Sequence, residues 1–369
     1  SRAMKEYIAF DSHKHYTLAE VEEAGGGEPR QERIEHERGA IRQWLRSRER
    51  GGAVAVEAIG NWYWIVDEIE QAGMKPNLVQ PRKAKLMMGM INKTDKLDVH
   101  GLNRLQRNGT LPTVWIPPAA LRDLRELTRC RIVMRRQCTQ LKNRVLAILE
   151  KYALAPRGIS DLFGRKGRAA LQEQAGQLPP QAHWVLHLHL DQISAFERQI
   201  AEQESRLKEL VKVTPQMRLL MSMPGVGRIL SATILLEIGE IGRFPDDDHL
   251  ASYAGTVPRV HASGGKVRYG RTRPDVNHIL KWAFAEAANA IVVNRAHWPE
   301  HYVSRLYEKL RERRGHSRAV GALARHLAQS TWHILTKNQP YLERGHSSVV
   351  ESGRREGEDV MIRPAWIAQ

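Results

Sequence analysis

An apolar run ending in Phe10 marks residues 6–11 as a strand, and residues 15–22 read as a second. Ser12, His13 and Lys14 between them make a tight turn, and 33–37 predicts a third strand. Over 38–48 the period changes, with Ile41 and Leu45 four apart as on a helix. Residues 53–58 are a short apolar run, the mark of a strand buried on both faces. A helical period resumes over 61–71 through Trp64, Ile65 and Ile69, and Gly73 stops it. A last strand is predicted at 77–80, before helices at 82–90 and 96–107.

Three strands, a helix, then strand, helix, strand and helix is the order of a ribonuclease-H-like α/β fold. Pro117-Pro118 closes that region and helices take over. Residues 119–152 set Leu121, Leu124, Leu127, Met134 and Leu141 against a run of arginines. After Pro179-Pro180, Leu186, Ile193, Ile200 and Leu207 recur every seven residues, the seam of a short coiled coil. His189 and Gln203 at inner positions weaken that seam, and an antiparallel hairpin within one chain fits it as well as a dimer zipper. From 214 two helices, 216–223 and 228–238, flank the turn Pro224-Gly225-Val226-Gly227. A glycine-rich basic stretch at 262–273 and helices at 276–293, 300–314 and 317–336 complete a mostly α-helical C-terminal region. The expected domains are 4–116, 117–213 and 214–344, with 345–369 a polar tail and Ser1-Arg2-Ala3 a cloning remnant.

Composition narrows the class. Of 369 residues, 42% are hydrophobic and 27% charged, which excludes wholesale disorder and a collagen-like chain. No run reaches the roughly 18 apolar residues of a membrane helix, and the first residues contain no apolar core of a secretory leader. Two cysteines, Cys130 and Cys138, exclude a disulfide scaffold and suit a reducing cytoplasm. The net charge is +16, a field that attracts polyanions and adds salt-dependent affinity for phosphate backbones.

Four acids carry the first candidate chemistry. Asp11 and Glu57 each follow the apolar run of a predicted central strand, where α/β sheets open onto ligands. Asp95 and Asp98, three apart, share one helix face. Converging carboxylates repel one another unless cations are bound, and oxygen ligands select Mg²⁺ or Mn²⁺. Paired ions of that kind activate the attacking oxygen and stabilise the leaving one in phosphoryl transfer.

Phe10-Asp11-Ser12-His13-Lys14, Glu57-Ala58 and Lys93-Thr94-Asp95-Lys96-Leu97-Asp98 resemble the DEDD signature of insertion-sequence transposases related to the Piv invertase. Met223-Pro224-Gly225-Val226-Gly227, and the stretch from Leu250 through Arg259 to Ser263-Gly264-Gly265-Lys266, resemble that family's second block. The resemblance spans nearly the whole chain with both blocks in order. It implies a RuvC-like N-terminal domain, a coiled-coil middle for RNA binding and oligomerisation, and a C-terminal transposase domain with a nucleophilic serine. By position the metal ligands are then Asp11, Glu57, Asp95 and Asp98, and the serine is Ser263. Lys266, Arg268, Arg271 and Arg273 would hold the scissile phosphate and its neighbours. The competing serine, Ser252, reads as packing among Leu250, Ala251, Tyr253 and Ala254. Pro224–Gly227 suits either a phosphate-holding helix-hairpin-helix turn or a plain interhelical turn. Helical spacing argues against a metal site at His187-Leu188-His189, and His13 and His100 read as solvated or phosphate-facing.

The family resemblance implies a recombinase in which a structured noncoding guide RNA pairs with donor and target double-stranded DNA. Ser263 would form a covalent phosphoserine, conserving the phosphodiester for religation. Acids and serine fall in separate expected domains, so a site shared between protomers of a dimer, paired into a tetramer, is implied. Arg122, Arg125, Arg129, Arg135 and Arg136 are the arginines expected to meet RNA phosphate. Two rival readings are a RuvC-like junction-resolving nuclease using metal-activated water and a non-catalytic nucleic-acid scaffold.

Overall fold

The computed structural model describes residues 6–48, 50–89, 95–263, 266–270 and 272–343, without the side chains of 95–97, 260–263 and 266–269. By its internal contacts the chain forms two compact units, 1–119 and 120–369.

The first unit is built on a five-stranded sheet in the order β3-β2-β1-β4-β5. Its strands are β1 (Glu6–Ser12), β2 (Tyr16–Glu23), β3 (Arg30–Glu35), β4 (Ala53–Glu57) and β5 (Lys75–Val79). β1, β2 and β3 pair antiparallel, whereas β4 lies parallel to β1 and β5 parallel to β4. That mixed sheet is the ribonuclease-H-like arrangement. β3 starts earlier than the sequence pattern predicts because its first half is polar: only Ile34 of Arg30–Glu35 is buried, and pairing with β2 makes the strand. Helices α1 (Ala40–Leu45) and α2 (Trp62–Gln71) cover one face, placing Ile41, Leu45, Ile65 and Ile69 against Ile8, Phe10, Val54 and Val56. α3 (Pro81–Met88) and α4 (Asp95–Arg107) cover the other through Ala84, Val99, Leu102 and Leu105.

Among the described residues the second unit is helical apart from one hairpin. α5 (Ala119–Lys151) and α7 (Pro180–Leu210) are its long helices, with α6 (Arg165–Ala175) between. The pairs Arg131–Glu204 and Lys142–Glu197 run in opposite directions along the two, so they lie antiparallel within the chain. The seven-residue stripe Leu186, Ile193, Ile200, Leu207 is buried in that chain. His189 Nδ1 and Gln203 Oε1, at its polar positions, have no hydrogen-bond partner, a cost of about 1–3 kcal/mol each.

The remainder comprises α8 (Pro215–Met221), α9 (Arg228–Ile238), α10 (Asp247–Tyr253), α11 (His278–Asn294), α12 (Tyr302–Arg314) and α13 (His316–Lys337). Strands β6 (Val260–Ser263) and β7 (Lys266–Tyr269) form the antiparallel hairpin between α10 and α11. The core sits where α9, α10, α11 and α13 meet, around Ile234, Leu250, Phe284 and Leu327.

Candidate nucleic-acid processing sites

In the first unit, the sheet decides where the acids lie. β1 and β4 pair Ile8 with Val54, Ala9 with Ala55 and Phe10 with Val56, so one further step brings Asp11 level with Glu57. Ala9 and Ala55 face α4 while their neighbours face α1 and α2. Side chains alternate along a strand, so Asp11 and Glu57 take the α4 face with Ala9 and Ala55. Only 8% and 9% of these acids is exposed.

α4 runs back along β1. Its middle sets His100 beside Glu20, which pairs with Ala9, and its end sets Arg107 beside Glu22, which pairs with Tyr7, with Gln106 Nε2 donating to the Ile8 carbonyl at 2.9 Å. The helix rises about 12 Å from Gln106 back to Asp98, and β1 about 10 Å from Ile8 to Asp11. The first turn of α4 therefore overlies the strand ends that carry Asp11 and Glu57. Asp98 precedes the buried Leu102 by four residues and extends the same sheet-facing stripe. Asp98 is half-buried, and the Asp95 side chain lies outside the described residues.

Two histidines expected to be solvated or phosphate-facing each lie beside a buried carboxylate. His13 Nε2 lies 3.2 Å from Asp11 Oδ2, and Asn61 Nδ2 donates to the His13 carbonyl at 2.8 Å, tying the loop after β4 to the loop after β1. His100 Nδ1 lies 3.0 Å from Oε1 of the fully buried Glu20, which also accepts from Gln31 at 2.7 Å and Asn103 at 3.3 Å. Among the described residues no three His, Cys, Asp or Glu side chains form a metal cage. The donor chemistry nevertheless fits a hard divalent cation: carboxylate oxygens, largely withdrawn from water, at one end of a sheet.

In the second unit, Ser263 is the last residue of β6 and pairs with Lys266, the first of β7. Gly264, Gly265 and Arg271 lie outside the described residues, as do the side chains of Ser263, Lys266 and Arg268. Arg273 is exposed and its Nη2 donates to Ser252 Oγ at 2.6 Å. Ser252 is therefore half-buried and hydrogen-bonded rather than packed among apolar neighbours, a correction to the sequence reading.

A second correction concerns α5. Arg122 and Arg125 are 3% and 4% exposed. Arg125 donates to the Leu236 and Glu237 carbonyls at 2.7 and 2.9 Å. Arg129 grips the Glu237 carboxylate with both ends of its fork, at 2.8 and 3.0 Å. These three belong to the stripe that buries Thr128 and Ile132, and the counter-charge of Arg125 and Arg129 lies more than a hundred residues on. Burial lowers the Arg125 pKa, opposed by the Glu237 carboxylate. Arg135 and Arg136 remain exposed.

Glu237 is the residue the sequence pattern missed. Its carboxylate is fully buried and also accepts from Asn277 Nδ2 at 2.8 Å. The signal was present as one charge within Ile234-Leu235-Leu236-Glu237-Ile238, an otherwise apolar run. The turn before α9 is packed rather than open at Gly225, where φ is +77° and an added Cβ would lie 2.2 Å from the Ala287 carbonyl oxygen.

A ribonuclease-H-like sheet ending in carboxylates, joined to a helical unit that carries a basic hairpin, defines a DEDD-type transposase. Residues 8–154 match the family model of IS110-type DEDD transposases, and 217–303 match that of the IS116/IS110/IS902 transposases. The transposase for insertion sequence element IS1111A of Coxiella burnetii is 26% identical over 297 residues, covering 79% of each chain. The transposase for IS1328 of Yersinia enterocolitica is 24% identical, covering 77% of this chain and 84% of its own. The pilin gene-inverting protein of Moraxella bovis is 25% identical over 42% of this chain and 49% of its own. The chain belongs to the IS110/IS116/IS902 family of insertion-sequence transposases, enzymes that recombine DNA. The DEDD class uses a divalent metal ion. No helix among the described residues is long and apolar enough to cross a membrane.

Proposed function

We propose that the protein is an RNA-guided DNA recombinase that cuts and rejoins donor and target DNA through a phosphoserine at Ser263. The observation that carries the reading is the strand register that sets Asp11 level with Glu57, both largely buried, alongside a family match that continues through the serine-bearing block. Asp11, Glu57, Asp95 and Asp98 are the residues that would hold Mg²⁺. Bound there, the ion supplies Lewis-acid stabilisation of charge on the phosphate and its departing oxygen. The remaining steps belong to the chain. Ser263 Oγ loses its proton and bonds to phosphorus, and the displaced deoxyribose oxygen leaves as a hydroxyl. The bond count is conserved, so attack by another strand's hydroxyl returns the serine and rejoins DNA without an external energy source. Lys266, Arg268, Arg271 and Arg273 neutralise phosphates along the segment. The protein acts as a homo-oligomer, a dimer that pairs into a tetramer around its DNA.

RNA guidance is supported by the net charge of +16 and by the exposed Arg135 and Arg136 on α5. Sequencing the RNA that co-purifies with the protein from cells carrying its element tests it. One element-borne transcript is expected, and Arg135→Gln/Arg136→Gln should weaken its binding and reduce the slope of log K against log salt by about 2. Bound RNA that matches cellular RNA at background would contradict guidance.

A further inference from the structure

The segment 254–276 leaves the core after α10, carries β6 and β7, and returns at the cap of α11. Its two stems are tied to each other. The Asn277 N–H donates to the Tyr253 carbonyl at 2.8 Å, and Asn277 Nδ2 to the Tyr253 hydroxyl at 3.3 Å. Gly255 sits so close to the returning stem that an added Cβ would meet Val276 Cγ2 at 2.7 Å. Asn277 Oδ1 meanwhile caps α11 by accepting from the Ile279 and Leu280 amides, both at 3.0 Å.

One group orients this knot. The amide of Asn277 can point its oxygen at the helix and its nitrogen at Tyr253 only because Nδ2 has a fixed acceptor in Glu237 Oε2. Glu237 is in turn held by the fork of Arg129, with Arg125 Nε 3.9 Å from the same carboxylate and bonded to the carbonyls beneath it. Arg243 stacks on the Tyr253 ring at 4.5 Å. Two buried charges and a half-buried third are a poor route to stability, since apolar residues of similar size commonly pack as well. What they supply is direction.

We propose that Glu237, clamped by Arg125 and Arg129, is a positioning residue that fixes the serine-bearing segment 254–276 through Asn277 and Tyr253. The inference rests on the reading of Ser263 as nucleophile. It also makes α5 the element against which the serine segment is registered.

Hydrogen exchange on the full chain tests the clamp without DNA. Glu237→Gln keeps the shape, removes the charge and turns one acceptor into a donor facing Asn277. Exchange of the 254–277 amides should rise roughly tenfold, a loss of one charge-assisted bond's protection. A paired variant, Glu237→Leu/Arg129→Met, removes the forked ion pair and leaves Arg125 on the Leu236 and Glu237 carbonyls, and should recover part of the melting temperature while the segment still exchanges fast. In single-turnover reactions of the co-purified ribonucleoprotein with a labelled duplex of the element's end, Glu237→Gln should slow covalent adduct formation roughly a hundredfold with DNA affinity unchanged, the signature of misplaced reacting groups. Unchanged exchange in Glu237→Gln, recovery of both stability and protection in the paired variant, or a rate loss matched by lost DNA binding would each overturn the clamp. If Ser263→Ala still forms the adduct, the nucleophile assignment falls instead, and the exchange data still decide the clamp.

Discussion

Glu57→Gln should make the first unit more stable in EDTA and deaf to Mg²⁺. Asp11 and Glu57 end adjacent parallel strands on the same face and are 8% and 9% exposed. Strands lie about 4.8 Å apart, and two unit charges at that spacing repel by roughly 3 kcal/mol at an effective dielectric of 20. His13, 3.2 Å from Asp11, offsets part of this when charged, and Glu57→Gln keeps the size and half the acceptor capacity of the side chain. A net gain of about 1–2 kcal/mol in EDTA is expected, or several degrees in melting temperature for a unit of this size. Wild type should instead gain from Mg²⁺, by about 2.7 kcal/mol at a hundred times its dissociation constant. Calorimetry of both proteins with EDTA and with a Mg²⁺ series makes the comparison. An Mg²⁺-dependent rise of equal size in Glu57→Gln, or none in wild type, would refute a cation held between these acids.

Two further predictions concern stability. Gly225→Ala combines a positive-φ penalty of about 1–2 kcal/mol with a 2.2 Å clash against the Ala287 carbonyl oxygen, so it should cost roughly 2–4 kcal/mol, whereas Gly227→Ala, with nothing within 4 Å, should cost under about 1. Equal denaturation midpoints for the two variants would contradict the packed turn. Burial lowers the pKa of His36 from its ordinary 6.5, and Nε2 lies 2.8 Å from the Thr17 hydroxyl. The unfolded chain then takes up the proton first, so this contribution is intact above about pH 6.5 and is lost as pH falls through the lower, folded-state pKa. His36→Gln should flatten the decline in first-unit melting temperature between pH 7 and 5, and an unchanged slope would contradict it.

The parts of the fold legible in the sequence are those whose partners are apolar. The unbroken runs ending at Val56 and at Phe10 mark central strands because both bury against helices on each side. The polar start of β3 carries no such pattern and becomes a strand only by pairing with β2. The acids at strand ends were legible for the same reason as the strands. The arginines of α5 were not: spacing shows a basic stripe, and only the distant Glu237 tells that the stripe points inward. A buried charge pair between remote segments leaves its sole local trace as a charge out of place, here the carboxylate within the apolar α9.

The phosphoserine is the claim on which the functional account turns, and trapping it is the direct measurement. The co-purified ribonucleoprotein, incubated with labelled element-end DNA and Mg²⁺ and then denatured, should yield a protein–DNA adduct whose modified peptide contains Ser263. Ser263→Ala should lose the adduct and recombination together while keeping RNA and DNA binding, and Ser252→Ala should retain the adduct. Cleavage to free ends by Ser263→Ala at the wild-type rate would make water the nucleophile and the protein a nuclease, and an adduct surviving in Ser263→Ala would pass the role to another residue, with Ser252 next in line.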